Sequence, residues 1–131
     1  AISSSFVFPK KKVISVVGDG GFLMSGIEIS TAVQYGLNII FIIINNSSYG
    51  TIRMHLEKYY PKRVVGTDLK NPDFVSFSKS MGANAKRVKR VDDFFLVFNR
   101  YLKSKKVSVI ELITDIEYIS SRLSLSELRK T

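Results

Sequence analysis

The feature that most constrains the fold is the apolar run at residues 39–44 (IIFIII), in which five of the six side chains are isoleucine. β-Branched residues favour strands, and an apolar run without polar alternation is typical of a strand buried on both faces. Strands of that kind occur mainly in parallel sheets that are covered by helices on each side. The run therefore predicts an α/β protein.

The rest of the chain alternates between strand and helix patterns in the way that a parallel sheet requires. Apolar runs predict further strands at residues 13–17, 85–88 and 107–113. Helical patterns are predicted at residues 25–35, 51–59, 73–81 and 92–102, with Ser25 as an N-cap and Glu28 completing a capping box in the first of these helices. Residues 1–8 resemble the end of a helix. The fold class is therefore α/β, with a mostly parallel sheet and helices on both faces, in one partial domain over residues 1–131 that ends in a tail at residues 114–131.

Composition excludes several kinds of function. The chain has no cysteine, which excludes disulfides, thiolate zinc sites and cysteine nucleophiles and fits a cytoplasmic protein. Its longest apolar run is far shorter than the ~20 residues of a membrane-spanning helix, so no membrane partner is expected. The N-terminus lacks the features of a secretory signal and does not begin with Met, so we expect a processed chain or part of a longer one.

The formal net charge of +9 is the main oddity of the composition. Positive residues cluster at residues 10–12, 86–90 and 103–106. A charge of this size can favour nucleic acid or an acidic partner, which makes a non-catalytic basic module the alternative function. The clusters fall in separate predicted loops and helix ends, and no nucleic-acid motif accompanies them, so solvated lysines are the preferred interpretation and nucleic acid is not an expected partner.

Polar residues follow two of the predicted strands. Asp19 lies in the segment GDGG after the first strand, and Asn45 and Asn46 follow the strand at residues 39–44. Ligands of parallel α/β sheets bind at the carboxyl ends of the strands, so these side chains would share a pocket if the two strands are neighbours. A carboxylate and amide oxygens suit Mg²⁺, which binds few protein carboxylates and often bridges to phosphate. Glycines and a following helix N-terminus favour a close anion, which predicts a metal-bridged phosphate or diphosphate.

Taken alone, GDGG is weak evidence for a site, because a Gly-Asp-Gly segment after a strand is most often a plain turn. The dinucleotide-binding fingerprint also fails, since Leu23 stands where its third glycine is required. The spacing carries more weight: GDG at residues 18–20 is followed by 24 residues and then by NN directly after an apolar strand.

This combination resembles the diphosphate-binding motif of thiamine diphosphate-dependent enzymes. Upstream positions keep the spacing of the family's longer signature, namely Ile2, Ser3, Pro9, Ile14 and Val16. The stretches GFLMSGIEISTAVQYGLNI, NNSSYGTIRMHLEKYYP and NPDFVSFSKSMGA are similar to the acetolactate synthase-like branch, and the resemblance covers residues 1–113.

The resemblance implies thiamine diphosphate and Mg²⁺ as cofactors. Asp19, the Asn46 side-chain oxygen and the Ser48 backbone carbonyl would bind the metal, while Asn45 would brace the turn. Backbone N–H groups at Gly20, Gly21 and Gly50 would reach the diphosphate. Tyr49 could face the cofactor or pack, and His55 is expected to be a surface residue.

The resemblance also implies that much of the enzyme lies outside this chain. The family's cofactor lies between two domains of different subunits, and the partner's pyrimidine-binding domain supplies an activating glutamate. No residue here corresponds to that glutamate, and Glu28 and Glu57 are interpreted as a helix cap and a surface charge. We therefore expect no catalytic residue in this chain and no turnover by it. The whole enzyme would be a homodimer or homotetramer that decarboxylates a 2-oxo acid or joins its two-carbon unit to an acceptor. An oligomerising structural remnant with exposed apolar surface is a further possibility.

Overall fold

The computed structural model describes residues 1–119 and 123–130 of the chain. Its strands are β1 (Val13–Gly18), β2 (Ile39–Asn45), β3 (Asn84–Val88) and β4 (Ser108–Ile113). Its α-helices are α1 (Ile2–Val7), α2 (Asp19–Ser25), α3 (Ile29–Gln34), α4 (Gly50–Tyr59), α5 (Phe74–Ser80), α6 (Val91–Leu102) and α7 (Leu125–Leu128), and a 3₁₀ turn (Gly26–Glu28) joins α2 to α3. Among the described helices, none has both the length and the apolar character to cross a membrane.

The four strands form one parallel sheet in the order β1-β2-β4-β3. The predicted α/β fold with a parallel sheet is confirmed, and the predicted strands agree with the observed ones to within about one residue at each end. The central position of β2 explains its uninterrupted apolar run, because both of its faces are covered and both of its edges are paired.

Alternate residues of β2 contribute to two separate cores. Ile39, Phe41 and Ile43 pack in the core beneath α2, α3 and α5. Ile40 and Ile42 pack in the core beneath α6, where helical spacing presents the apolar side chains Phe94, Val97, Phe98 and Tyr101. Helices on both faces of the sheet are thus confirmed, and the carboxyl ends of the strands remain as an accessible edge.

The prediction of one helix over residues 25–35 with a Ser25 capping box was wrong. Helical structure begins at Asp19, directly after the extended residue Gly18, and passes through the 3₁₀ turn before α3. Ser25 makes no side-chain cap, and the Glu28 carboxylate instead accepts a hydrogen bond from Thr31 Oγ1 at 2.8 Å. Gly26 lies so close to the Phe22 ring that a Cβ there would meet it at 2.8 Å. Helical structure therefore begins earlier than the capping pattern predicted. It changes from α-helix to 3₁₀ turn at Gly26, where the Phe22 ring packs.

The interpretation of Glu57 as a surface charge was also wrong. Its side chain is fully buried in α4 and accepts a bidentate hydrogen bond from Arg129, with Arg129 Nε 2.8 Å from Oε2 and Nη2 2.6 Å from Oε1. The Lys62 backbone N–H donates a further bond to the same carboxylate at 3.0 Å. The tail contains the short helix α7, and the Glu57–Arg129 ion pair connects this end of the chain to α4.

The buried ion pair predicts a stability that depends on acid. The hydrogen bond from Arg129, followed by the bond from Lys62, lowers the Glu57 pKa from 4.5 to about 2. Because the folded-state pKa is lower than the unfolded one, the contribution of Glu57 is fully present above about pH 4.5 and is lost as the pH falls toward about 2. Chemical unfolding at a series of pH values should show this loss, and Glu57→Gln should reduce the slope of stability against pH in that window. An unchanged slope in the variant would contradict the assignment.

The basic clusters are less separated than the sequence suggested. The Lys12 ammonium donates to the Ser104 backbone carbonyl, which joins the first cluster to the third. Positive side chains from α5, β3, α6 and the turn after α6 line one open cavity, namely Lys79, Lys86, Arg100 and Lys103. The packing of both α5 and α6 against β3 brings these residues together although they are distant in sequence.

Candidate functional site

The sheet register places the candidate site at the carboxyl edge of β1 and β2. Gly18 is paired with Ile44, so Asp19 and Asn45 follow from adjacent strands at the same level of the sheet. Strands β1 and β2 are therefore neighbours, which confirms the condition for the predicted common pocket.

Asp19 is the first residue of α2 and is only 1% exposed. Its Oδ1 accepts a hydrogen bond from the Gly20 backbone N–H at 3.0 Å, and its Oδ2 accepts one from Asn71 Nδ2 at 2.7 Å. No Lys, Arg or His of the described residues forms an ion pair with this carboxylate. A buried carboxylate without a cation is costly, so the site would gain from a bound positive charge.

The turn after β2 is shaped by its own side chains. Asn45 Oδ1 accepts from the Ser47 N–H at 3.0 Å, and Asn46 Oδ1 accepts from the Ser48 N–H at 3.1 Å. Ser47 has a φ of 56°, in the left-handed region that ordinary residues rarely adopt. The expectation that Asn45 braces this turn agrees with its hydrogen bond to Ser47.

A second segment holds this turn from outside. The Ser48 hydroxyl and the Tyr49 N–H both donate to the Thr67 carbonyl, at 2.9 Å and 2.8 Å, and the Leu69 N–H donates to the Ser47 carbonyl at 2.8 Å. Ser48 is 3% exposed and Thr67 is 1% exposed, so the bond between them is shielded from water. The unusual turn is therefore held rigidly at the edge of the sheet.

Between the two turns lies an open cavity of about 310 Å³, lined by residues 18–21 and 48–52. Two of its glycines are closely surrounded by neighbouring atoms. A Cβ at Gly20 would lie 2.5 Å from Tyr49 Cε1, and a Cβ at Gly50 would lie 2.9 Å from Asn46 Nδ2. Tyr49 thus packs on Gly20 and also lines the cavity.

The structure brings most of the predicted site residues to this cavity. Asp19, Gly20, Gly21, Ser48 and Gly50 line it, and Asn46 lies against Gly50. Two of the predicted diphosphate donors have partners within the chain, since the N–H of Gly20 donates to Asp19 Oδ1 and that of Gly50 donates to the Ser48 carbonyl at 2.8 Å. His55 is exposed on α4, as expected for a surface residue.

The available oxygen atoms fit a hard divalent cation. No group of three or more acidic, histidine or cysteine side chains with metal-binding geometry occurs within residues 1–119 and 123–130. Asp19 supplies a single carboxylate, beside an amide oxygen and a backbone carbonyl. One carboxylate is enough for Mg²⁺ where phosphate oxygens and water supply the remaining ligands, whereas an all-protein Ca²⁺ site needs more.

Sequence reasoning missed Asn71, which contacts both sides of the site. Asn71 Nδ2 donates to Asp19 Oδ2 at 2.7 Å and to Asn45 Oδ1 at 2.9 Å. Asn45 Nδ2 in turn donates to the buried Glu111 Oε1 at 2.7 Å. The only sequence signal was the position of Asn71 before Pro72 at the entry to α5, which is typical of a loop and does not indicate a contact with residue 19.

Gly50→Ala tests the close packing of the turn. The new methyl group would meet Asn46 Nδ2 at 2.9 Å and Ile119 Cγ2 at 2.8 Å, so Asn46 must move. We expect the Mg²⁺-dependent binding of thiamine diphosphate that the resemblance implies to weaken by about tenfold, the lower end of the loss caused by disturbing residues that support a metal site. Ser30→Ala, at an exposed position of α3 outside the cavity, is the control and should leave the affinity unchanged. Calorimetric titration of both variants measures the effect, and equal affinities would contradict the packing argument.

The fold and site together define a parallel α/β domain that presents a buried carboxylate and a glycine-lined cavity at the carboxyl edge of its sheet. The family model for the C-terminal TPP-binding domain of thiamine pyrophosphate enzymes matches residues 1–112. The chain belongs to this family.

The relatives agree with this assignment. The chain is 35% identical to an acetolactate synthase of Bacillus subtilis over 137 aligned positions, covering 100% of this chain and 24% of the relative. It is 33% identical over 113 residues to the mitochondrial acetolactate synthase of Schizosaccharomyces pombe, covering 86% of this chain and 17% of that protein.

Solved structures agree as well. The thiamine diphosphate-dependent 4-hydroxybenzoylformate decarboxylase of Rhodococcus jostii superposes with a TM-score of 0.82 at 27% identity, over 88% of this chain and 22% of that one. The benzoylformate decarboxylase of Polynucleobacter necessarius superposes with a TM-score of 0.80 at 28% identity, over 89% of this chain and 22% of the other. The chain therefore spans about a quarter or less of the length of these proteins.

Proposed function

We propose that this chain binds the diphosphate of thiamine diphosphate through Mg²⁺, as one part of an acetolactate synthase-like enzyme. The observation that carries the proposal is the buried Asp19 carboxylate, which has no cationic partner among the described residues and lies beside a glycine-lined cavity. Membership of the family supports the cofactor, and the chemistry of the oxygen atoms supports the metal.

The predicted residues fall into two groups in this proposal, one for the metal and one for the diphosphate. Asp19, the Asn46 side-chain oxygen and the Ser48 carbonyl hold the metal, and each oxygen keeps a lone pair beyond the hydrogen bond it accepts within the chain. Gly20, Gly21 and Gly50 let the backbone approach the diphosphate. The N–H groups of Gly20 and Gly50 would exchange their present partners for phosphate oxygens.

The chain's own residues bind and orient the cofactor, and the bound cofactor supplies the carbanion chemistry at its thiazolium ring. We assign no catalytic residue to the described part of the chain. The whole enzyme would act on a 2-oxo acid, in keeping with relatives named as acetolactate synthases and benzoylformate decarboxylases. Its cytoplasmic location stays a prediction from the sequence.

We further propose that the chain works within a homodimer or homotetramer, together with a pyrimidine-binding domain. Part of the sheet face beneath α6 supports this assembly. Ile14 and Val16 on the edge strand β1 are 45% and 65% exposed, although their neighbours Ile40 and Ile42 on β2 are buried. Exposed apolar side chains beside a core are typical of a surface that another domain covers. Sedimentation velocity at a series of concentrations tests whether this chain associates with itself.

Titration with thiamine diphosphate in the presence and absence of Mg²⁺ tests the proposed function. We expect weak binding that requires Mg²⁺, because only the diphosphate end of the cofactor has a site in this chain. We also expect no decarboxylation of pyruvate by the purified chain, measured as carbon dioxide release. Metal-independent binding, or none, would refute the metal-bridged site, and measured turnover would refute the absence of a catalytic residue.

A further inference from the structure

We propose that Asn71 is a positioning residue that orients the Asp19 carboxylate toward the bound cation. The inference rests on the proposed function. It adds a residue that belongs neither to the cofactor motif nor to the residues that line the cavity. Asn71 lies in the loop before α5 and reaches Asp19 across 52 residues of sequence.

A network of hydrogen bonds runs along the carboxyl edge of the sheet. Arg87 on β3 donates through Nε to Glu111 Oε2 on β4 at 2.6 Å, and Asn45 on β2 donates to Glu111 Oε1 at 2.7 Å. Asn71 then donates to Asn45 Oδ1 at 2.9 Å and to Asp19 Oδ2 at 2.7 Å. The network thus crosses the ends of all four strands and finishes at the carboxylate of the site.

The chemistry of the network allows one orientation for each amide. Glu111 and Asp19 flank the two amides of Asn45 and Asn71, and an ionised carboxylate only accepts, so each must receive an N–H. Asn45 meets this requirement by giving its amide nitrogen to Glu111 and leaving its oxygen for Asn71. Asn71 then gives both of its N–H bonds to oxygen atoms. Turning the Asn71 amide over would place its oxygen against two acceptors, so the network dictates this orientation.

The orientation leaves the oxygen of the Asn71 amide without a partner among the described residues. This Oδ1 atom is also inaccessible to water. Buried acceptors are normally paired, and an exception needs a physical reason. Here the reason is that both donors of the amide are committed to holding Asp19 and Asn45. The Asp19 carboxylate is thereby held from one side, with its remaining lone pairs available to a cation.

The far end of the network is anchored by charge. Arg87 also donates through Nη2 to Asp73 Oδ1 at 3.1 Å, and Asp73 is the N-cap of α5 and accepts from the N–H groups of Val75 and Ser76. The start of α5 is therefore tied to β3, and Asn71 lies two residues before Asp73. This anchor limits the movement of the loop that carries Asn71 and so of the amide that holds Asp19.

A double-mutant cycle in the absence of ligand tests the contact itself. We expect Asn71→Ala to raise the unfolding equilibrium constant by about tenfold, because a buried carboxylate loses a donor. In the Asp19→Ala background, Asn71→Ala should raise the unfolding equilibrium constant by about threefold or less. Asn99→Ala, on the exposed face of α6, is the matched control and should show no coupling to Asp19. Additive effects of Asn71→Ala and Asp19→Ala would overturn the proposal.

Cation selectivity separates positioning from a merely structural role. Mg²⁺ demands near-ideal octahedral geometry, whereas Ca²⁺ accepts varied geometry. Asn71→Ala should therefore weaken Mg²⁺-dependent thiamine diphosphate binding by roughly 10- to 100-fold and Ca²⁺-dependent binding by clearly less. Equal losses with both ions, or no loss, would overturn the proposal. If the unaltered chain shows no metal-dependent binding, the proposed function fails, and coupling in the ligand-free cycle would then show a contact that serves no cation.

Discussion

Asp19→Ala is expected to abolish Mg²⁺-dependent binding of thiamine diphosphate to this chain. Asp19 supplies the carboxylate at the proposed metal site, and no other carboxylate of the described residues lines the cavity, so a lost ligand has no equivalent there. Loss of a supporting residue around a metal typically costs about 10- to 100-fold in affinity, and loss of the charged ligand should cost at least about 100-fold. Isothermal titration calorimetry with Mg²⁺ and thiamine diphosphate measures the difference, with circular dichroism to confirm the fold of the variant.

Asp92→Ala is the matched control for this experiment. It removes the same charge from the chain, but the Asp92 side chain is 86% exposed and lies 3.9 Å from Arg90 at the start of α6, away from the site. Cofactor affinity should therefore be unchanged within about twofold, since exposed charges are screened by water and salt. Metal-dependent binding that survives in Asp19→Ala would show that the cofactor is held elsewhere, and equal losses in both variants would assign the effect to net charge.

Arg129→Ala is expected to lower the free energy of unfolding by clearly more than the loss of an exposed arginine does, because it leaves the Glu57 charge buried and uncompensated. Arg129 donates both hydrogen bonds of a bidentate pair to the fully buried Glu57. Arg53 Nη2 lies 3.9 Å from the same carboxylate and replaces only part of the lost interaction. Urea unfolding at pH 7, followed by circular dichroism, measures the loss.

Two further variants show whether the buried Glu57 charge causes the loss of stability in Arg129→Ala. In the double variant Glu57→Leu with Arg129→Leu, much of the stability should return, because a buried ion pair can often be replaced by apolar side chains at little cost. Arg90→Ala removes an exposed arginine that lies 3.9 Å from Asp92 and should change the unfolding free energy by about 0.5 kcal/mol or less. A small effect of Arg129→Ala would show that α7 contributes little to the stability of α4.

Asp19→Ala and Arg129→Ala probe two parts of the molecule, and these parts differ in how far the sequence predicted them. Asp19 and Asn46 were predicted because each directly follows an apolar strand, and the ends of neighbouring parallel strands meet at one edge. Glu57 was misjudged because it lies on a helix with many polar residues, where a glutamate is normally solvated. Its partner stands 72 residues later in the chain, beyond the range of any helical or strand periodicity.

The same difference in range explains why the prediction of one helix over residues 25–35 was wrong. Ser25 and Glu28 form a local pattern that is typical of a helix start. Asp19, the first acidic residue after β1, begins the helical structure instead, and the close packing of Phe22 on Gly26 accompanies the change to a 3₁₀ turn. Packing against the sheet therefore overrode a capping pattern that is worth only about 1 kcal/mol.

By itself, the sequence determined the strands, the parallel α/β class, the family resemblance and the residues that follow β1 and β2, because each of these depends on neighbours within one element or on the order of elements. The tertiary structure alone decided that Asn71 holds Asp19, that Glu111 orients Asn45, and that Glu57 is buried against Arg129. Those contacts join residues separated by 52, 66 and 72 positions. Local patterns arise from the geometry of a helix or strand, whereas the pairing of distant polar groups depends on which elements pack together and on the requirement that buried hydrogen-bonding groups find partners.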